Sequence, residues 1–110
     1  MSLIDHALLD ELAELLGPQL SAILATYRTQ VATYQAELSQ ALDAGDLEAV
    51  RRAAHGLKGA SASVGATALH DAMQHIEHAA RDGDAARARE GLAALPAVLE
   101  ATLAALPGGA

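Results

Sequence analysis

The 110-residue sequence contains no cysteine, phenylalanine or tryptophan. The lack of cysteine excludes disulfide bonds and thiolate metal sites. With two tyrosines and no other large aromatic side chain, the chain has little to offer for the base stacking that RNA-binding surfaces use. Basic residues are also scarce, with 7 Lys and Arg against 14 Asp and Glu, and the formal net charge is -7. This charge argues against a nucleic-acid partner.

Long apolar runs are absent as well. Although 52% of the residues are hydrophobic, no stretch approaches the ~20 consecutive apolar residues of a membrane span. Residues 1–6 lack a basic segment followed by an apolar one, so we expect no signal peptide. These features predict a soluble, cytoplasmic protein with no membrane partner. The length predicts a single domain over residues 1–110.

Alanine and leucine recur throughout the chain at helical spacing. The periodicity predicts five helices, at about residues 5–16, 18–44, 47–64, 66–81 and 85–106. Short turn signals separate them, namely Gly17-Pro18, Gly45-Asp46, Gly65 and Asp82-Gly83-Asp84. No stretch has the pattern of a strand. Four long helices with short connections predict an all-α, antiparallel up-down four-helix bundle, with the first short helix as an extra cap.

Apolar residues at steps of three and four define the expected core face of each helix. In the first two helices the predicted buried stripes include Leu15 and Ile23. The last helix contains Pro96, which predicts a kink near residues 92–96 because proline disrupts the helical hydrogen bonding.

The segment around His55 departs from this simple pattern. Residues 54–59 read Ala-His-Gly-Leu-Lys-Gly, and a glycine inside a helix costs roughly 0.5–1 kcal/mol relative to alanine. His55 lies away from the apolar stripe of its helix, which predicts a solvent-exposed imidazole. Lys58 and Gly59 follow at three and four residues, on the same face. We expect Gly56 to leave the surface beside the imidazole bare.

An exposed imidazole beside a cation suits the transfer of an anionic group. A neutral imidazole nitrogen is a nucleophile near pH 7. A phosphoryl group on His55 would lie beside Lys58, and Arg51 or Arg52 could offset part of its charge. The alternative is a surface histidine with no task, which is the usual role of a lone histidine on a helix.

Residues 54–66 resemble the signature of histidine-containing phosphotransfer (HPt) domains. That signature is Ala-His-x-Leu-Lys-Gly, followed by small residues, an apolar residue, Gly and Ala. The similarity covers about residues 8–106, and includes the entry to the long second helix at residues 15–18 and the segment 74–81 on the fourth helix.

The resemblance implies roles for individual residues. It implies that His55 accepts and donates the phosphoryl group and that Lys58 stabilises this group or the docked partner. Gly59 is implied to permit close approach of the partner. Glu77 falls where family members carry a Glu or Gln that hydrogen-bonds the second imidazole nitrogen. The other candidates for the docking face are Gly56, Arg51, Arg52 and Ala62.

The mechanism implied by the resemblance is a phosphorelay. A response-regulator receiver domain bearing a phospho-aspartate docks over His55, and the phosphoryl group moves to the imidazole and later to another receiver. The receiver supplies Mg²⁺, so we expect no cofactor in this chain. A hybrid histidine kinase is a further expected partner. The absence of a G-x-x-x-x-G-K-[ST] motif predicts a phosphocarrier that neither binds ATP nor acts as an enzyme, and we expect a monomer.

Two other functions stay open at this point. A bundle of this kind could bind or sequester a receiver or kinase without phosphotransfer, although such a binder has no need of the histidine. A metal-binding bundle could use His70, His75 and His78, since paired histidines three residues apart are common zinc ligands. Because the sequence places no third or fourth ligand on a neighbouring helix, we expect no metal site.

Overall fold

The computed structural model describes residues 3–108, and within this range the chain forms five α-helices and no strand. The helices are α1 (His6–Leu16), α2 (Gln19–Asp43), α3 (Leu47–Ser63), α4 (Thr67–Arg81) and α5 (Ala85–Ala105). The all-helical class is therefore confirmed, and each predicted boundary lies within one residue of the observed one. Residues 1 and 2 of the segment considered for a signal peptide, and the last two residues of the predicted domain, lie outside the described range.

Three of the helices have an aspartate at the N-cap position. In each case a carboxylate oxygen accepts a hydrogen bond from the backbone N–H three residues further on, over 3.0 Å. The pairs are Asp5 with Leu8, Asp46 with Ala49 and Asp84 with Arg87. These caps satisfy amide groups that have no partner inside the helix, which explains why the helices begin where the sequence predicts.

The helix that carries His55 is packed on two sides. α3 contacts both α2 and α4, while α5 contacts α4 and α2. Between them lies a core of Leu, Ala, Val and Ile side chains, together with the fully buried Tyr27 and Met73. α3 is thus held between two neighbours, and the residues of α3 that are not buried form its solvent side. The candidate site lies at the edge of that side.

Two apolar residues of the predicted stripes lie on the surface instead. Leu15 is 81% exposed and Ile23 is 41% exposed. The packing of α1 buries Leu9 and part of Leu12, so Leu15 faces away from the core. In α2 it is Leu24 that turns inward from the same region. Periodicity locates an apolar stripe, but only the neighbouring helices decide which of its edges is covered.

Two further features concern the course of α5 and the hydropathy of the helices. α5 runs through Pro96 without interruption, so the proline does not end the helix, and the kink near residues 92–96 stays a prediction. No helix between residues 3 and 108 is long and apolar enough to cross a bilayer.

Candidate functional site

Three polar side chains meet where α3 packs on α4. His55 and Lys58 lie one turn apart on α3, and Glu77 lies opposite them on α4. Their exposure decreases in that order, from 66% of the His55 side chain to 23% of Lys58 and 11% of Glu77. The predicted exposure of the imidazole is confirmed. The Glu77 carboxylate is almost covered, and within the described residues it is hydrogen-bonded to the imidazole and to the ammonium group.

Glu77 uses both of its carboxylate oxygens. The distance from His55 Nδ1 to Glu77 Oε2 is 2.7 Å, and Lys58 Nζ donates a hydrogen bond to Oε1 over 2.6 Å. The distances are those of charge-assisted hydrogen bonds, which are shorter and stronger than neutral ones. The structure therefore brings together three of the residues that the sequence singled out.

The electrostatic balance at Glu77 favours the ionised form. Burial is the largest single influence and by itself raises the pKa of the carboxyl group. The hydrogen bonds and positive charges of Lys58 and His55 together outweigh burial, so the pKa of Glu77 is lower than its usual value. An ionised carboxylate can only accept hydrogen bonds. The proton in the contact with His55 consequently belongs to Nδ1.

This contact determines which imidazole nitrogen is available for chemistry. A neutral imidazole carries one proton, and the other nitrogen has a free lone pair. With the proton of His55 held on Nδ1 by Glu77, the lone pair is on Nε2. Because most of the ring is exposed, Nε2 is open to a partner from solution. The arrangement provides an oriented nitrogen nucleophile.

The surface beyond His55 on α3 is bare. A Cβ atom added at Gly59 would meet no atom within 4 Å. Gly59 and Ala62 are both exposed, as is Arg52. Gly59 and Ala62 place no large side chain between the imidazole and an approaching partner on this part of the helix.

Gly56 faces the neighbouring helix α2 and not, as the sequence had suggested, the surface beside the imidazole. A Cβ atom added there would lie 2.7 Å from the Tyr34 hydroxyl oxygen and 2.9 Å from its Cζ. The expectation that Gly56 bares the surface beside the imidazole is therefore wrong, because Gly56 faces α2 and accommodates the Tyr34 ring. The position of the Tyr34 ring against Gly56 depends on how α2 and α3 are rotated relative to each other, which periodicity does not define.

Arg51 is held by a residue that the sequence reasoning missed. Its Nε donates to Glu48 Oε2 over 3.0 Å, and its Nη2 donates to Glu48 Oε1 over 2.6 Å. The spacing of three residues on one helix is the signal that could have revealed this pair. The side chain of Arg52, in contrast, makes no ion pair with the described residues.

The histidines of α4 do not converge on one point. His70 Nδ1 lies 3.1 Å from a carboxylate oxygen of the adjacent Asp71. Among residues 3–108, no three His, Asp or Glu side chains come together in a group that could hold a metal ion. The zinc alternative therefore lacks a third ligand within that range.

Comparison with known families decides the assignment. The sequence model of the Hpt domain matches residues 22–106. The chain belongs to the Hpt domain family. Comparison with curated proteins and with solved structures gave no significant match. Hpt domains are phosphocarriers of two-component systems that interact with receiver domains and kinases.

All site residues described above lie within the matched range of this Hpt domain. α1 precedes the match, which begins inside α2 and thus later than residue 8, where the resemblance was expected to start.

Within the matched part, a buried pair joins α2 to α3, with 2.7 Å between the Tyr27 hydroxyl and Ser61 Oγ. Burial raises the pKa of Tyr27 more than this hydrogen bond lowers it, so the phenol is neutral and stays bonded to Ser61.

Proposed function

We propose that this Hpt domain is a phosphorelay intermediate in which His55 accepts a phosphoryl group from a receiver-domain aspartate. It then passes the group to the aspartate of another receiver. The observation that carries the proposal is the 2.7 Å contact between His55 Nδ1 and Glu77 Oε2. In the neutral ring, that contact leaves the lone pair on Nε2, and most of the ring is exposed.

The transfer step is an in-line displacement at phosphorus. The lone pair of His55 Nε2 forms the new N–P bond while the P–O bond to the receiver aspartate breaks, and the aspartate leaves as a carboxylate. The proton on Nδ1 stays in place, so the ring becomes positively charged as the N–P bond forms. The Glu77 carboxylate, already bonded to Nδ1, stabilises that charge. Transfer to the next receiver follows the same path in reverse.

Lys58 serves this step in two ways. An ammonium group has three donors, and one of them is used in the 2.6 Å bond to Glu77. The remaining N–H groups are available to a phosphoryl oxygen on the neighbouring His55. Lys58 thus keeps the Glu77 carboxylate in place and offsets part of the phosphoryl charge.

The partner is a receiver domain, free or as part of a hybrid histidine kinase. It docks on the face of α3 formed by Gly59, Ala62 and Arg52, whose exposure supports this assignment. The receiver brings the Mg²⁺ that shields the phosphoryl oxygens, so this chain needs no cofactor of its own. The expected cytoplasmic location and monomeric state belong to the same proposal.

The proposed scaffold is an antiparallel four-helix bundle of α2 to α5, capped by α1. Two features support it. The connections from α2 to α3, α3 to α4 and α4 to α5 are each three residues long, which suits antiparallel neighbours. The contacts pair α2 with α3, α3 with α4, α4 with α5, and α5 with α2.

The test is phosphoryl transfer from a panel of phosphorylated receiver domains to the wild type, His55→Gln and His75→Gln. His75 is an exposed histidine on α4 and is the matched control. We expect acid-labile label on the wild type and on His75→Gln, and none on His55→Gln. The melting temperature of His55→Gln should stay near that of the wild type, because the residue is mostly exposed.

Two results would contradict the proposal. Label on His55→Gln would place the acceptor elsewhere. Receiver binding without label on the wild type would instead favour the sequestering module.

A further inference from the structure

Arg51 is close to the proposed acceptor, but its guanidinium group is hydrogen-bonded to another residue of the chain. It lies four positions before His55 on α3, so the two side chains share one face of the helix. Its guanidinium donates two hydrogen bonds to the Glu48 carboxylate, from Nε over 3.0 Å and from Nη2 over 2.6 Å. This fork-to-fork geometry is the one that arginine uses to grip carboxylates and phosphates. Glu48 thus takes the donors that an acidic partner would need.

The ion pair between Arg51 and Glu48 is exposed and lies close to the proposed site. The pKa of Arg51 is raised above its ordinary value, first by the hydrogen bond and charge of Glu48, and also by the charge of Glu77. Arg51 is therefore close enough to interact electrostatically with the site. Both members of the pair are partly exposed, at 37% for Arg51 and 59% for Glu48. An exposed ion pair is weak, and a docking partner can open it.

We propose that Glu48 restrains Arg51 in the resting protein, and that a docking receiver domain takes Arg51 over with its own surface carboxylates. Glu48 is then a specificity-determining residue, because it weakens capture of acidic receivers that cannot displace it. This inference rests on the proposed phosphorelay function. In addition, the Glu48 carboxylate lowers the rate at which the receiver associates with this chain, because charges at the rim of an interface act mainly on association.

The experiment measures the apparent second-order rate of transfer from a phosphorylated receiver to wild type, Glu48→Gln, Arg51→Gln and the double variant. We expect Glu48→Gln to be about two- to five-fold faster than wild type at low salt, the range set by a weak exposed ion pair. The gain should disappear in the Arg51→Gln background, and also in roughly 1 M salt.

The control is Glu90→Gln, which removes the same charge from an exposed position on α5. It should leave the rate unchanged. Melting temperatures of all variants establish that each is folded.

The outcomes separate this inference from the function on which it rests. Transfer by the wild type with no gain in Glu48→Gln overturns the inference alone. A gain that persists without Arg51 also overturns it, because the effect is then one of net charge. A gain that appears only as a longer lifetime of isolated phosphoprotein would assign Arg51 to the phosphoryl group and overturn the docking role. Lack of transfer by the wild type would overturn both.

Discussion

At the scale of single residues, the site depends on one nearly covered carboxylate that serves two donors. Glu77 orients the imidazole of His55 through Nδ1 and anchors Lys58 through its other oxygen. A carboxylate can accept hydrogen bonds from both donors at once, because both of its oxygens are acceptors and it carries no donor of its own. An amide at the same place would present an NH₂ group to one of the two donors. The charge of Glu77 is therefore as important as its position.

Replacing Glu77 by glutamine should slow phosphoryl transfer to His55 by about 5- to 10-fold. The amide oxygen can still accept from Nδ1, but the charge-assisted hydrogen bond becomes a neutral one, which is a loss of about 1–1.5 kcal/mol. The measurement is the transfer rate from a phosphorylated receiver, with Glu14→Gln on the exposed side of α1 as the control. A rate equal to that of the wild type would show that Glu77 does not position the nucleophile.

The same variant should change how stability depends on acid. The pKa of Glu77 is below its ordinary value of 4.5 in the folded protein. The folded state thus binds this proton less readily than the unfolded state does. The resulting stabilisation is fully present above the ordinary pKa and is lost as pH falls through the lower folded pKa.

The measurement is the melting temperature as a function of pH between about 7 and 3. Because Glu77→Gln removes the titrating group, its melting temperature should fall less steeply with acid than that of the wild type. Parallel curves for the two proteins would contradict the ionised state assigned to Glu77.

At the scale of helices, two contacts between elements set the position of α3. Gly56 admits the Tyr34 ring from α2, and the Tyr27–Ser61 pair joins the same two helices at a buried point. Both contacts join α3 to α2, whereas Glu77 contacts α3 from α4. They hold the helix that carries His55 at a fixed distance from α2.

Substitution of Gly56 by alanine should lower the free energy of unfolding by about 1–3 kcal/mol. The new Cβ would overlap with the Tyr34 ring, and overpacking outweighs the better helix propensity of alanine. Gly59→Ala is the matched control on the same helix. It should gain about 0.5–1 kcal/mol, since its Cβ would meet open space.

Urea unfolding of the two variants provides the comparison. Adding Tyr34→Leu to Gly56→Ala should recover part of the loss. If Gly56→Ala were as stabilising as Gly59→Ala, the contact with Tyr34 would not determine the helix spacing.

A second prediction at this scale concerns a buried hydroxyl group on α5. Thr102 is fully buried, and its Oγ1 has no hydrogen-bond partner among the described residues. Thr102→Val keeps the shape and removes the unsatisfied group, so we expect a gain of about 1–3 kcal/mol in the free energy of unfolding. Tyr27→Phe is the contrasting variant and should lose stability, because it leaves Ser61 Oγ without its partner. A loss of stability in Thr102→Val, measured by urea unfolding, would indicate that the hydroxyl is satisfied.

At the scale of the whole molecule, the sequence predicts local structure well and contacts between helices less well. The helix ends follow from Asp46, Asp84 and the turn glycines, because capping depends on residues close in sequence. The exposure of His55 follows from its angle to the apolar stripe. The Gly56–Tyr34 contact and the outward side of Leu15 depend on the rotation of whole helices, which periodicity alone does not define.

The distribution of charge is also a property of the whole molecule. The net charge is -7, yet α3 carries three of the 7 basic side chains, at Arg51, Arg52 and Lys58. An acidic protein with a local basic strip is oriented by an acidic partner before contact.

In the proposed mechanism, Nε2 of His55 carries the phosphoryl group while Glu77 keeps the proton on Nδ1. The most direct measurement is ¹⁵N and ³¹P NMR of protein labelled in its histidine rings, before and after phosphorylation by a receiver. We expect a protonated Nδ1 on His55 in both states and phosphorus coupled to Nε2 of that ring alone. Phosphorus on Nδ1, or on any other histidine, would contradict it.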